Sequence, residues 1–102
     1  VMERYTKVQF PENDNRRGLG FDKPYLNNGE LSPAETYPAP GAPQESFGHS
    51  GYTGTFVWMD PVNEITYIFL SNRVYPTRNN NLLSELRIRA NILQAVYDSI
   101  IF

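Results

Sequence analysis

The sequence predicts an α+β fold in which an antiparallel sheet of about three strands packs against a C-terminal α-helix. Residues 49–59 and 65–72 alternate as strands do, and a turn of about five residues joins them, so they form an antiparallel hairpin. Apolar residues recur at steps of three and four from Leu83 to Ile100, which predicts a helix over residues 82–101. The chain has 102 residues, so it forms one domain or a piece of one, and no internal repeat is visible.

The first half of the chain is less regular. Residues 1–10 show weak helical spacing, and the glycines of residues 17–21 predict a short strand that approaches a neighbour closely. Residues 23–47 hold five of the eight prolines and follow neither the helix period nor the strand period. Irregular segments of this length are functional or disordered. Because this one leads into His49, we favour a wall of a binding cleft, and a disordered surface loop is the alternative.

Both faces of the hairpin are apolar. Phe56 and Trp58 lie on one face of their strand, and Val57 and Met59 lie on the other. The C-terminal helix can cover only one face, and each large apolar side chain left in water costs about 1.5–3 kcal/mol. We therefore expect additional N-terminal sequence, a partner or a second copy of the chain to cover the other face.

Composition excludes several classes of function. The net charge is −2 and there is no basic block, which argues against binding to nucleic acid. The absence of cysteine excludes disulfides, thiolate zinc sites and a cysteine nucleophile. No stretch reaches the roughly 18 apolar residues of a membrane span. None of these observations decides the compartment.

The segment from Phe47 to Thr55 is the strongest candidate for a functional site. It places one histidine, several hydroxyl groups and three glycines at the start of a strand, where the backbone can approach a ligand. Neighbouring residues of a strand point to opposite faces, so His49 cannot simply activate Ser50. The alternative is a partly buried histidine with satisfied hydrogen bonds, beside Ser50 and Thr53 that bond along the strand edge.

No metal or cofactor site is predicted. The chain has one histidine and no carboxylate at ligand spacing from it. Its paired glycines lack the immediately following helix that phosphate and dinucleotide loops require. The neighbours Asp22 and Lys23 are expected to form a surface pair, and Asp60 and Glu64 are expected to be solvated beside the hairpin turn.

Several short motifs occur in a characteristic order: Arg17–Asp22, Phe47–Thr55, Asp60-Pro61, Phe69–Arg73 and a terminal helix. With these motifs the chain resembles the C-terminal portion of serine β-lactamase-related proteins, a group that includes class C-type β-lactamases, DD-peptidases and related esterases. The resemblance covers most of residues 16–101. It implies that residues 1–102 are the C-terminal part of a β-lactamase-like domain, with a small-molecule or peptide substrate and a periplasmic or extracellular parent.

The resemblance also implies roles for individual residues. Such proteins carry a third motif, usually Lys-Thr-Gly, on a strand that faces the nucleophile, and His49-Ser50-Gly51 matches it with histidine in place of lysine. His49 is then expected to assist proton transfer and attract an anionic group. Ser50 is expected to bind a substrate carboxylate, with Thr53 also at the substrate. The Tyr52 N–H is expected to be half of the oxyanion hole.

Replacement of lysine by histidine weakens the expected anchoring of a carboxylate. Histidine side chains ordinarily titrate near pH 6.5 and are mostly neutral at pH 7, whereas lysine is charged. The substitution puts β-lactam hydrolysis in doubt and leaves esterase or peptidase chemistry open.

The nucleophile motif of the group, Ser-x-x-Lys, is absent from the 102 residues. Tyr25-Leu26-Asn27 fits the second motif in letters, but it follows the strand predicted at residues 17–21, in the wrong order. We therefore expect a fragment of a serine hydrolase that is inactive alone. The alternatives are a non-catalytic binding or packing module derived from that fold, and a self-contained small domain closed by dimerisation.

Overall fold

The computed structural model describes residues 2–13 and 15–100, and it has the predicted α+β architecture. Three antiparallel strands form one sheet in the order β1-β2-β3. They are β1 (Phe47–Ser50), β2 (Phe56–Asp60) and β3 (Ile65–Phe69). The helices are α1 (Met2–Thr6), α2 (Leu82–Glu85) and α3 (Ile88–Asp98). None of the described helices is long and apolar enough to cross a membrane.

The sheet has three strands as predicted, but two of them are formed by other residues than the sequence predicted. Residues 49–59 do not form one strand, because the chain reverses at residues 51–55 and Ser50 pairs with Phe56. Residues 17–21 form no strand either. The contact with the sheet comes one residue later, where Asp22 and Gly48 exchange two backbone hydrogen bonds. The hairpin between β2 and β3 is as predicted, with Trp58 opposite Tyr67.

The strand register gives the sheet two different faces. Gly48 lies opposite Trp58, and Ser50 lies opposite Phe56, so these four residues share the face that α3 covers. We call it the helix face. The other face, which we call the open face, carries His49, Val57, Met59, Ile68 and Leu70.

The helix face holds the core. Trp58 is fully buried and stacks on Phe56, with ring centroids 5.7 Å apart, while Leu93 of α3 and Ala39 close over them. Tyr37 meets Trp58 edge to face. Gly48 allows this packing, because a Cβ at that position would collide with the Val57 carbonyl and the Trp58 ring.

The long segment before β1 is irregular but packed. It contains two short 3-10 turns, Asn28–Glu30 and Pro33–Glu35, and no strand before Phe47. Seven residues between positions 24 and 46 are buried, which does not fit a disordered surface loop. They are Pro24, Asn28, Thr36, Pro38, Ala39, Ala42 and Ser46.

The C-terminal helix is interrupted, in contrast to the single helix predicted over residues 82–101. Arg87 adopts φ 50° and ψ 40°, which ends α2 and starts α3 in a new direction. Its guanidinium donates to the carbonyls of Pro33 and Thr36, so the side chain is anchored to the long segment. As a result Leu86 leaves the predicted apolar stripe and is 59% exposed, whereas Leu93 stays buried. Residue 101 lies outside the described residues.

Of the two carboxylates expected to be solvated beside the hairpin turn, Glu64 is exposed but Asp60 is buried. Asp60 is 2% exposed, and its Oδ1 accepts the N–H groups of Val62 and Asn63, which shapes the hairpin turn. Its Oδ2 accepts the Tyr97 hydroxyl at 2.8 Å, which ties α3 to the end of β2. Burial, together with this bond to Asp60, raises the pKa of Tyr97 above its usual value.

Asp22 is also buried, and it does not form the expected surface pair with Lys23. Its carboxylate lies 3.0 Å from the Arg17 guanidinium and accepts the Tyr37 hydroxyl at 3.1 Å. Lys23 is buried as well, and this burial lowers the pKa of its amine. The expectation was wrong because both residues lie beside β1, where Asp22 pairs with Gly48.

Loss of the Tyr97 hydroxyl tests the link between α3 and β2. We expect Tyr97→Phe to lower the free energy of unfolding by about 1–2 kcal/mol, because Asp60 stays buried and loses one donor. Urea unfolding followed by circular dichroism measures the change. The control is Tyr75→Phe at an exposed tyrosine, which is expected to change little. Equal effects of the two substitutions would contradict the proposed link.

Candidate functional site

The end of β1 presents His49 and Ser50 to opposite sides of the sheet, as the strand period requires. His49 is exposed on the open face, and Ser50 is half-buried on the helix face. The His49 Nδ1 lies 2.8 Å from the Ser50 carbonyl oxygen. Because a carbonyl can only accept, Nδ1 is the donor in this bond, and a neutral ring then keeps Nε2 as an acceptor.

Ser50 borders two cavities, one on each side of the sheet edge. The cavity on the helix face measures about 120 Å³ and is also lined by Tyr37, Phe56 and Arg89. The cavity on the open face measures about 280 Å³ and contains His49. His49, Ser50 and Gly51, three of the five predicted site residues, therefore line one cavity, although the side chains of His49 and Ser50 diverge.

A tight turn over residues 51–55 follows β1, and we call it the site turn. The Gly51 N–H donates to the Thr55 carbonyl at 2.8 Å, and the Gly54 N–H donates to the Gly51 carbonyl at 3.0 Å. Gly54 has φ +92°, a conformation that side-chain-bearing residues rarely adopt. These features close the reversal between β1 and β2 within five residues.

The site turn sets the direction of the Tyr52 N–H. A trans peptide is planar, so the Gly51 carbonyl and the Tyr52 N–H point in opposite directions. The carbonyl is held inside the turn by Gly54, so the N–H points out of it. Within residues 2–13 and 15–100 this N–H has no hydrogen-bond acceptor. It is a fixed and unoccupied donor beside Ser50.

Residues from distant parts of the chain fasten the site turn. The Thr53 carbonyl accepts the Arg73 N–H at 3.0 Å and the Ser71 hydroxyl at 3.1 Å. The Gly54 carbonyl accepts the Arg89 guanidinium at 3.3 Å. The Thr53 backbone is thus used in the fold, and its side chain, predicted to lie at the substrate, is half-buried.

A family model described as "Beta-lactamase" matches residues 3–91, which is most of the chain. The chain belongs to the β-lactamase family. The expected resemblance to the serine β-lactamase and DD-peptidase group is thereby confirmed. No solved structure gives a significant match.

Curated relatives from enteric bacteria carry the description "Putative D-alanyl-D-alanine carboxypeptidase". The protein from Escherichia coli K12 is 37% identical over 63 residues, which is 57% of this chain and 14% of that protein. The protein from Salmonella typhi is 32% identical over 106 aligned positions, covering 99% of this chain and 23% of that protein. The chain therefore spans less than a quarter of the length of these relatives.

Two arginines beside the candidate site were not predicted from the sequence. Arg89 lies in α3, and its guanidinium lies 5.7 Å from the centre of the Phe56 ring and donates to the Gly54 carbonyl of the site turn. Arg73 belongs to a motif of the resemblance, but no role was assigned to it. Its guanidinium lies 4.8 Å from the centre of the Tyr52 ring. Neither arginine is close to the site turn in the sequence, so periodicity and local motifs gave no signal for them.

The described residues contain no group of three or more histidine, aspartate or glutamate side chains that could hold a metal ion. The groups around the site turn that the structure describes are hydrogen-bond donors, one imidazole and two arginines. Such groups can bind an anion and stabilise negative charge that develops on an oxygen.

Substitution of Gly54 tests how tightly the site turn is held. We expect Gly54→Ala to lower the free energy of unfolding by about 2 kcal/mol or more. The positive φ is strained, and the new Cβ would meet Leu83 and Ser71 at 2.5 Å. The control is Gly20→Ala, at φ +82° with open space around it, which isolates the backbone strain. Urea unfolding measures both, and equal losses would show that the turn is not closely packed.

Proposed function

We propose that this chain is the C-terminal part of a serine hydrolase of the β-lactamase, DD-peptidase or esterase type. It supplies one wall of the substrate pocket, while the nucleophilic serine comes from elsewhere in the parent protein. The observation that supports this most is the Tyr52 N–H, which has no acceptor within the described residues and belongs to the turn that directly follows His49 and Ser50. Membership of the β-lactamase family supports the reaction class.

The Tyr52 N–H is proposed as one donor of an oxyanion hole. Attack of a serine oxygen on a carbonyl carbon converts the carbonyl oxygen into an oxyanion, which needs preorganised donors within about 3 Å. A backbone N–H held by the site turn needs no reorganisation when the charge forms. The second donor is proposed to come from the part of the protein that carries the nucleophile.

Ser50 and His49 are proposed to bind the substrate and assist proton movement. The Ser50 hydroxyl can donate to a substrate carboxylate at the edge of the helix face. With Nδ1 bound to the Ser50 carbonyl, the Nε2 atom of a neutral His49 is the one that can accept a proton on the open face. A serine hydrolase of this type forms an acyl-enzyme that water then hydrolyses.

We propose that the rest of the parent domain packs against the open face. Ile68 is 63% exposed and Leu70 is 79% exposed, and both lie on the same face as His49. Covering these side chains releases about 1.5–3 kcal/mol for each one fully buried. The body that covers them would come to lie beside His49, where the nucleophile is needed. A second copy of the chain is the alternative occupant.

A non-catalytic binding or packing module is the second candidate, and the presence of histidine where the motif usually has lysine favours it. Such a module would lack Ser-x-x-Lys in the complete open reading frame. A serine hydrolase would contain it upstream of residue 1.

The roles of Ser50 and of the missing nucleophile can be separated by two substrates. We expect the full-length protein to hydrolyse nitrocefin, which carries a carboxylate, or p-nitrophenyl acetate, which does not, and the 102-residue chain alone to hydrolyse neither. Ser50→Ala is expected to lower kcat/KM for the carboxylate substrate about 10–100-fold, because a hydrogen bond to a charged group is lost. The ester is expected to be affected much less.

The matched control is Ser99→Ala, which removes a hydroxyl at the far end of α3. Hydrolysis by the 102-residue chain above the background of its Ser50→Ala variant would contradict the fragment proposal. Equal losses for both substrates would contradict carboxylate binding by Ser50. A full-length protein without hydrolytic activity and without Ser-x-x-Lys would favour the binding module.

A further inference from the structure

The segment that follows β3 holds the site turn from one side. The backbone N–H of Arg73 and the hydroxyl of Ser71 both donate to the Thr53 carbonyl. These two bonds fix the peptide that follows Thr53, two peptide units after the one that carries the Tyr52 N–H. Neither of them restrains Tyr52 itself.

The bond from the Gly54 N–H to the Gly51 carbonyl orients the peptide that carries the Tyr52 N–H, but within the described residues the backbone of Tyr52 itself makes no hydrogen bond. Its side chain is 65% exposed, and its N–H has no acceptor in the described part of the chain. The Arg73 guanidinium lies over its ring, 4.8 Å from the ring centre. Stacking of a guanidinium on an aromatic ring is attractive, because the cation faces the negative face of the ring.

Arg73 is itself held in place. Its NH1 atom donates to the carbonyl of Arg78 at 3.2 Å and to that of Asn80 at 3.3 Å. A guanidinium is planar, so two bonds from one of its nitrogen atoms limit how the plane can turn. The guanidinium plane that contacts the Tyr52 ring is therefore restrained by hydrogen bonds.

We propose that Arg73 is a positioning residue that holds Tyr52 so that its N–H stays aimed at the oxyanion. This inference rests on the proposed function, because it needs the Tyr52 N–H to act as an oxyanion donor. A donor that is displaced by about 1 Å can cost about a hundredfold in rate. Loss of the stack is therefore expected to appear in kcat and not in substrate binding.

The experiment compares variants of the full-length protein with p-nitrophenyl acetate as the probe. We expect Arg73→Ala to lower kcat at least tenfold with KM changed less than twofold. Arg73→Lys keeps a cation near the ring without the planar surface and is expected to fall between Arg73→Ala and the unmodified protein. The control is Arg78→Ala, which removes an exposed arginine of the same loop and leaves its carbonyl in place; kcat is expected to stay unchanged.

A second variant removes the stack by replacing the tyrosine instead of the arginine. Tyr52→Leu keeps the backbone N–H and leaves the bonds of Arg73 to Arg78 and Asn80 intact, so it remains informative if Arg73→Ala does not fold. We expect Tyr52→Leu to lower kcat as Arg73→Ala does, and the double variant to lose little more than either one. Additive losses in the double variant would overturn the proposal.

An NMR measurement keeps this inference separate from the proposed function. The order parameter of the Tyr52 N–H is expected to fall in Arg73→Ala and Tyr52→Leu but not in Arg78→Ala. If the unmodified protein hydrolyses neither nitrocefin nor p-nitrophenyl acetate, the proposed function fails, and the order parameter alone decides on positioning. An unchanged order parameter in Arg73→Ala, or a loss of activity expressed in KM, overturns the role of Arg73.

Discussion

The hydrogen bonds that close the site turn at residues 51–55 determine how β1 pairs with β2. The bond from the Gly51 N–H to the Thr55 carbonyl, with Gly54 at positive φ, reverses the chain so that Ser50 lies opposite Phe56. That pairing sets the register of β1 on β2, and hence which residues reach the core. The same closure turns the Tyr52 N–H outward. One short turn therefore determines both the packing of the sheet and the geometry of the candidate site.

Hydrophobic periodicity was sufficient to predict the α+β class, the hairpin between β2 and β3 and the two apolar faces of the sheet. It could not reveal the reversal at residues 51–55, because Tyr52 and Thr53 fit a strand as well as a turn. The break at Arg87 was hidden for a different reason. The carbonyl groups that anchor its guanidinium belong to Pro33 and Thr36, more than fifty residues earlier in the chain. Local propensity carries no information about such partners.

Only the part of the candidate site that depends on local strand geometry could be predicted from the sequence. The divergence of His49 and Ser50 follows from the strand period alone. Arg73 and Arg89 were missed because their role depends on where Thr53 and Gly54 place their carbonyl groups. The burial of Asp22 and Asp60 was missed because each accepts a hydroxyl from a distant segment, Tyr37 for Asp22 and Tyr97 for Asp60, and a buried carboxylate is tolerated only when it is hydrogen-bonded.

The two faces of the sheet differ in a way that links folding to chemistry. The helix face is sealed by the chain itself, since Leu93 and Ala39 close over Trp58. The open face keeps Ile68 and Leu70 in water and carries His49 among them. Any body that buries this apolar surface must also come against His49. If the proposed function holds, burial of the open face also completes the site, and the hydrophobic free energy released on burial also brings the reacting groups together.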